Sequence, residues 1–177
     1  MKKILLISAL SLLPAIAFCQ AQWQATSGEV SFTIKNAGVT VTGRFSGLKA
    51  DLLFSPDKLG SSSLKGSVEV ANIKTGIDKR DKDLLEEKYF DAGKHKEIEV
   101  ASVKLAKKGA AYTGTFNVTI KGVTKQVEIP FTFTQAGGQG EFQGSFTINR
   151  RDYGVGDKSM MMADDLAVSI DVKAKKK

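Results

Sequence analysis

The chain has 177 residues with a single cysteine, and a formal net charge of +7. One cysteine excludes an internal disulfide framework, so stability has to come from a core drawn from the 42% hydrophobic residues. The lysines are interleaved with carboxylates except at the tail (Lys173, Lys175, Lys176 and Lys177), which reads as a solvated surface and not as a nucleic-acid stripe.

The first 21 residues read as a secretory leader: Lys2 and Lys3, an apolar run over 4–18, and the small-x-small end Cys19-Gln20-Ala21. Cleavage is expected after Ala21, with Ala15-Ile16-Ala17 as a second candidate site. Acylation of Cys19 is the alternative, and the bulk of Phe18 just before it argues against that route. Loss of Lys2 and Lys3 with the leader leaves a net charge of +5. Residues 22–177 then form one domain, expected to be periplasmic or secreted, where no nucleic-acid partner is expected. The lysine tail reads as a solvated end, with weak peripheral attraction to anionic membrane headgroups as the alternative.

Period-two alternation dominates the rest of the chain. In 28–36 Val30, Phe32 and Ile34 share a face; in 38–47 the inward set is Val39, Val41, Gly43 and Phe45; in 48–54 it is Leu48, Ala50, Leu52 and Phe54. Ser55-Pro56-Asp57 makes a turn. Val68 and Val70 point inward in 67–74 before the phase slips toward Ala71 and Ile73. Residues 97–105 slip likewise, from Ile98 and Val100 to Val103 and Leu105, as a bulge would cause. The second half keeps its phase: Tyr112, Gly114, Phe116, Val118 and Ile120; then Val127, Ile129, Phe131 and Phe133; then Phe142, Gly144, Phe146 and Ile148; then Leu166, Val168, Ile170 and Val172. Lys107-Lys108-Gly109, Lys121-Gly122 and Gly137-Gly138 punctuate these strands as hairpin turns.

About eight or nine strands with one dry face each describe an all-β meander. A sheet this long curls or splits, and inward glycines at 43, 114 and 144 favour curling into an eight-stranded antiparallel barrel. Closure removes the exposed edges, and such a barrel is either filled by its side chains or holds one small ligand.

One stretch interrupts the alternation. Residues 75–91, TGIDKRDKDLLEEKYFD, are dense in charge. Asp78 can cap a helix start, and Asp81 and Asp83 suit its N-terminal turn. Leu84, Leu85 and Tyr89 or Phe90 make an apolar stripe, so one short helix near 78–90 is expected to pack on the barrel mouth.

Four motifs, taken in order, resemble the YceI-like family, the polyisoprenoid-binding, lipocalin-like barrels of bacteria. Residues 38–45 resemble its early glycine-x-phenylalanine strand end. Residues 75–91 resemble its threonine-glycine, arginine-aspartate, leucine and phenylalanine-aspartate signature. Residues 114–127 resemble its strand–glycine–valine–threonine hairpin. Residues 146–156, FTINRRDYGVG, resemble its asparagine-arginine-x-aspartate-aromatic-glycine turn. The chain departs from the pattern at Asp83-Leu84, where the family often has histidine-leucine, and at His95-Lys96, where it often has tyrosine-proline.

The resemblance implies an elongated apolar cavity holding an isoprenoid chain, as of a quinone or a polyprenyl phosphate. Phe32, Phe45, Leu52, Phe54, Phe116, Phe131, Phe133, Phe142 and Phe146 are the expected wall. Arg80 and Asp81 are expected to pair and fix the helix, and Arg150, Arg151 and Asp152 to brace the turn after 149. In the alternative, Arg80 or Arg151 faces a quinone carbonyl or a phosphate, to which a guanidinium offers a rigid donor fork.

Catalytic patterns do not assemble. His95 is the sole histidine, without a cysteine partner for zinc or a nucleophile elbow for a triad. No phosphate-cradling glycine loop is followed by lysine. No metal and no obligatory cofactor is expected. Met160, Met161 and Met162 read as a loop or an adaptable rim at one barrel end and not as a copper site, because side chains in an extended run alternate. The chain thus reads as an exported, non-enzymatic carrier of an isoprenoid lipid or quinone. A structural or stress-related exported barrel with a filled core is the alternative.

Overall fold

The computed structural model describes residues 21–177; the leader expected over 1–21 lies almost wholly outside them. Ten strand segments and one α-helix succeed one another: β1 Gln22–Asn36, β2 Val39–Phe45, β3 Lys49–Leu53, β4 Ser63–Glu69, β5 Ile73–Lys74, α1 Asp78–Leu85, β6 Glu97–Lys108, β7 Ala111–Ile120, β8 Val123–Ala136, β9 Gln139–Asn149 and β10 Asp165–Lys176.

Neighbours run β10-β9-β8-β7-β6-β4-β3-β1, and pairing of β1 with β10 closes the ring. The long β1 meets β3 through Gln22, Gln24 and the residue between them, and β2 from Val30 to Asn36. Thus β2 and β3 share one barrel position, broken at residues 46–48. In the same way β4 and β5 share another, broken by a 3-10 turn at Val70–Asn72. Ten segments therefore fill eight positions of an antiparallel barrel, as the alternation implies.

Two-residue turns drive the meander. Lys121 and Gly122 have φ of 51° and 75°, and Gly137 and Gly138 have 56° and 79°. This left-handed pair matches the twist of the strands that it joins. The turns leave the barrel with two distinct ends. One carries the β6–β7 and β8–β9 hairpins, residues 54–62 and the chain's C-terminus. The other carries α1, the β7–β8 turn and residues 150–164.

Three local expectations change. The slip in β6 is a bulge between Ser102 and Lys104, and it turns Val103 outward, 55% exposed, instead of inward. Ser102 takes the inward place, and its hydroxyl accepts a bond from the Leu64 amide at 2.9 Å. The slip after Val70 is the 3-10 turn, which exposes Ala71 and buries Ile73. Gly43 and Gly114 also do more than permit bending: a Cβ at these positions would lie 2.2 Å from Phe32 Cζ and 2.5 Å from Phe116 Cε2. The two aromatic rings lie across the glycine backbone.

Candidate functional site

The two halves of the barrel interior are built differently. At the hairpin end an aromatic cluster fills the lumen. Phe54, 0% exposed, meets Tyr112, Phe131, Phe133 and Phe142 edge-on, with ring centroids 5.2, 5.9, 5.0 and 5.4 Å away. Trp23 closes on Phe133 at 5.1 Å and donates its indole N–H to the Phe54 carbonyl at 3.0 Å. Edge-to-face rings set the positive rim of one against the negative face of the next, which fixes the cluster beyond simple burial.

Above this plug the lumen is hollow. A cavity of about 190 Å³ runs from the inner rings of the plug, Phe131 and Phe142, toward the helix end. Its walls are the inward positions of the strands, among them Val68, Val118, Ile148 and Val168. Phe90, Val155, Tyr153 and Arg150, from the segments that cross the helix end, complete it. Phe90 stands edge-on to Phe45 at 6.0 Å, and Leu84, Leu85 and Phe90 pack on the cluster of Phe45, Val68 and Ile73. Val30, Phe32, Phe146, Leu166 and Ile170 face inward yet stay only half-buried, because the hollow leaves their inner sides without partners.

Of the expected wall residues, the structure brings Phe32, Phe45, Leu52, Phe116, Phe131, Phe142 and Phe146 to the cavity. Phe54 and Phe133 are not part of its wall. They belong to the plug, because Phe54 directly follows the last residue of β3, where the barrel closes, and Phe133 lies tilted against Phe142 at 4.6 Å.

Neither Arg80 nor Arg151 lines the cavity. Arg80 donates from Nε to the Thr75 hydroxyl at 2.7 Å and from Nη2 to the Thr75 carbonyl at 2.6 Å. On the other side of Thr75, its hydroxyl and amide donate to Asp81 Oδ1 at 2.6 and 2.8 Å. So Arg80 and Asp81 do not bond to each other but grip one threonine between them, anchoring the start of α1 to the end of β5. The Thr75 hydroxyl, aided by its amide and by the charges of Lys74 and Arg80, holds the buried Asp81 carboxyl below the usual carboxylate range despite its burial. Asp78 does not cap the helix; Ile77 occupies that place without a side-chain bond, and Asp78 and Asp81 lie in the first turn, where negative charge suits the helix dipole. The helix stops at Leu85, and residues 86–94 continue as turns that bring Phe90 over the lumen.

The turn after β9 is braced by Arg150, as expected; what sequence reasoning missed is that Arg150 and Tyr153 also line the cavity. Arg150, 4% exposed, donates from Nε to the Ala163 carbonyl at 3.0 Å, from Nη1 to the Val155 carbonyl at 2.9 Å and from Nη2 to Asp164 Oδ1 at 2.6 Å. It thereby ties residues 150–164 into one cap. Arg151, by contrast, is largely exposed, 3.9 Å from Asp164 Oδ2. The signal that Arg150 reaches the wall was present: inward positions 142, 144, 146 and 148 continue by parity to 150. Tyr153 is buried in the same cap and the same wall, and its hydroxyl has no hydrogen-bond partner. Burial, with the Asp152 charge adding to it, raises the pKa of that hydroxyl above the ordinary phenol value. Gly156, at φ 69°, presses its backbone against Arg150 and Tyr89, where a Cβ would lie 3.0 and 3.1 Å from Nη1 and Cε1.

Outside the lumen, Met160 and Met161 are exposed at the helix end, and the Met161 carbonyl accepts a bond from the Ala37 amide at 2.7 Å. His95 packs over Gly122 at the β7–β8 turn. An open groove of about 490 Å³ between β1, β2, β5 and α1 is larger than the cavity, but it is a charged, solvated surface lined by Glu29, Arg44, Lys74 and Asp78.

Known proteins share this architecture. The family model described as the YceI-like domain matches residues 22–174. A UPF0312 protein of Pseudomonas fluorescens is 29% identical over 138 residues, spanning 71% of this chain and 70% of that protein. The crystal structure of Burkholderia cenocepacia BcnA superposes with a TM-score of 0.80 at 26% identity, covering 84% of this chain and 96% of that one. A polyisoprenoid binding domain from Saccharophagus degradans shares the fold, with a TM-score of 0.68 at 12% identity over 89% of this chain and 99% of its own.

Proposed function

The chain belongs to the YceI-like family, and on that footing we propose that it binds the isoprenoid tail of a lipid, of quinone or polyprenyl phosphate type, in the hollow half of its barrel. It acts without catalysis, outside the cytoplasm, after the leader over 1–21 is removed. The observation that carries this reading is the cavity itself: about 190 Å³ with an almost wholly apolar wall, inside a barrel whose other half is filled. The Saccharophagus domain of the same fold, described as polyisoprenoid binding, supports it.

The energetics are those of transfer. At about 0.8 kcal/mol per buried CH2, a five-carbon isoprene unit gains about 3–4 kcal/mol on leaving water. The volume is of the order of a buried void of about 150 Å³ that takes up a benzene ring, so the empty hollow receives about one unit. A longer tail enters by displacing the half-buried wall residues or extends out of the hollow. The exposed Met160 and Met161, with Val39 on the neighbouring hairpin, give the helix end a flexible apolar rim through which the protein touches a membrane while loading.

The test uses Gly144, in the cavity wall, where an added Cβ meets nothing closer than 3.4 Å. Gly144→Leu places a side chain in the hollow. A prenylated quinone titrated against the protein, followed by equilibrium dialysis and by the fluorescence of the sole tryptophan, is expected to bind the wild type and to lose affinity for the variant. Equal binding to both, or to neither, overturns the reading.

A further inference from the structure

The two ends of the hollow are closed in different ways. At the floor, Phe131 and Phe142 face the hollow, and a second layer of rings lies behind them, outside its wall. Phe54 stands there, 5.9 and 5.4 Å from Phe131 and Phe142 between centroids, with Phe133 4.6 Å from Phe142. Beneath these, Trp23 lies against the backbone of the buried Gly140, where an added Cβ would stand 2.7 Å from its Cζ3. No ring of the floor can move without displacing another that is already enclosed. The helix end has no such stack. Irregular segments cross it, tied together by separate polar contacts: the Gly156 amide donates to the Lys88 carbonyl at 2.9 Å, and the Lys121 ammonium to the carbonyls of Glu87 and Gly154 at 2.7 and 2.8 Å. Phe90, the ring that these turns lay over the lumen, is only half-buried. The helix end is therefore the side from which a ligand enters.

We propose that the plug is a depth stop: an isoprenoid lipid enters tail first until its end meets Phe131 and Phe142, and whatever exceeds the hollow, headgroup included, stays outside the helix end. This rests on the lipid-binding reading above and adds to it the orientation of the lipid and the length of tail that the barrel recognises. Polar groups set the orientation. The wall is almost wholly apolar, and the guanidinium of Arg150, which borders it, donates from each of its nitrogens to a protein oxygen, with the Asp164 carboxylate at 2.6 Å matching its charge. A carbonyl or phosphate oxygen carried down to the floor would lose its water and find only the rings of Phe131 and Phe142, a cost that a hydrocarbon end does not incur. Volume sets the length. The hollow of about 190 Å³ matches about one isoprene unit, so units beyond the first few lie outside and gain nothing from the barrel.

The experiment titrates the protein, by equilibrium dialysis, with a graded series of prenylated quinones, each one isoprene unit longer than the last, and with the prenyl alcohol of each length. For the wild type, affinity is expected to rise roughly tenfold or more with each unit that enters, a part of its full transfer from water, and to level off within the first few units. Quinone and alcohol of one length are expected to bind within about twofold of each other. Phe142→Ala removes a ring from the first layer of the floor and opens a space of roughly 150 Å³, the size of a void that holds benzene, so its plateau is expected about one unit later. Phe142→Leu, which keeps more of the core in place, is expected to strengthen binding of the first tail beyond the wild-type plateau and to leave shorter ones unchanged. An affinity that climbs through the whole series, a plateau that stays in place in both variants, or a strong preference for one headgroup each overturns the depth stop while lipid binding stands. If neither variant folds, the wild-type series decides alone. Failure of every member to bind the wild type removes both readings.

Discussion

The plug and the hollow are two halves of one barrel, both walled by inward positions of the same strands. The plug is closed by rings: Trp23, Phe54, Tyr112, Phe131, Phe133 and Phe142 come from five strand positions, and neighbouring centroids stand 4.6–6.4 Å apart. In the hollow the facing positions are largely Val68, Val118, Ile148 and Val168, which are just as apolar but shorter. An eight-stranded barrel is just wide enough for side chains to fill, so reach, and not hydrophobicity, decides which half is solid. Phe32 and Phe116 illustrate the point from the hollow side. Their rings lie across Gly43 and Gly114 and so hug the wall instead of crossing the lumen.

The difference is sharpest under matched truncations. Phe54→Ala is expected to be the most costly, destabilising by about 3–5 kcal/mol in chemical denaturation, because a fully enclosed ring leaves a void that its neighbours cannot fill. Phe146→Ala, on the half-buried wall of the hollow, should cost less than half of that, about 1–2 kcal/mol, and should change ligand affinity instead. Equal costs at the two sites would erase the distinction between plug and hollow.

The helix end depends on the grip on Thr75. Asp81→Ala is expected to cost roughly 1.5–3 kcal/mol, as for hydrogen bonds to a charged group, and to loosen α1 while the plug keeps its near-UV signal. Because the folded state holds the Asp81 carboxyl below its ordinary value, its contribution is present above the usual carboxylate range near pH 3.9 and is lost as pH falls through and below it. Asp81→Asn should flatten that part of the acid-denaturation curve; an unchanged curve would remove Asp81 as its source.

Smallest and opposite in sign is Gly144→Ala. The site lies in an extended strand with room for the methyl group, so a gain of about 0.4–1 kcal/mol in melting experiments is expected, through a less flexible unfolded chain. Gly114→Ala, the same change where Phe116 lies on the backbone, should destabilise.

Much of this was legible in residue order. From β7 to β10 the strict parity places every inward residue, and the paired turn residues at 121–122 and 137–138 mark the hairpins. The same parity reaches Arg150, expected as a brace of its turn but not as part of the wall. Parity places Phe54 inward but cannot show that it plugs the lumen, because its ring partners Tyr112, Phe131, Phe133 and Phe142 come from strands across the barrel. Trp23, at the start of β1, is not reached, and its indole bond is made to the adjoining strand end, 31 residues along the chain. The grip of Arg80 and Asp81 on Thr75 was hidden for a different reason. Opposite charges next to each other suggest a pair, whereas the buried need was to satisfy the threonine and the chain leaving β5. Nor can alternation show a void, since a void exists only where rings from non-neighbouring strands fail to meet.

Native mass spectrometry of protein purified from a bacterial host without detergent, with solvent extraction of whatever is released, tests the lipid-filled hollow most directly. The account predicts one bound apolar molecule per chain, with a mass and fragmentation pattern of repeating five-carbon units. A protein that flies only at its bare mass, and that takes up no isoprenoid when one is supplied, would contradict it.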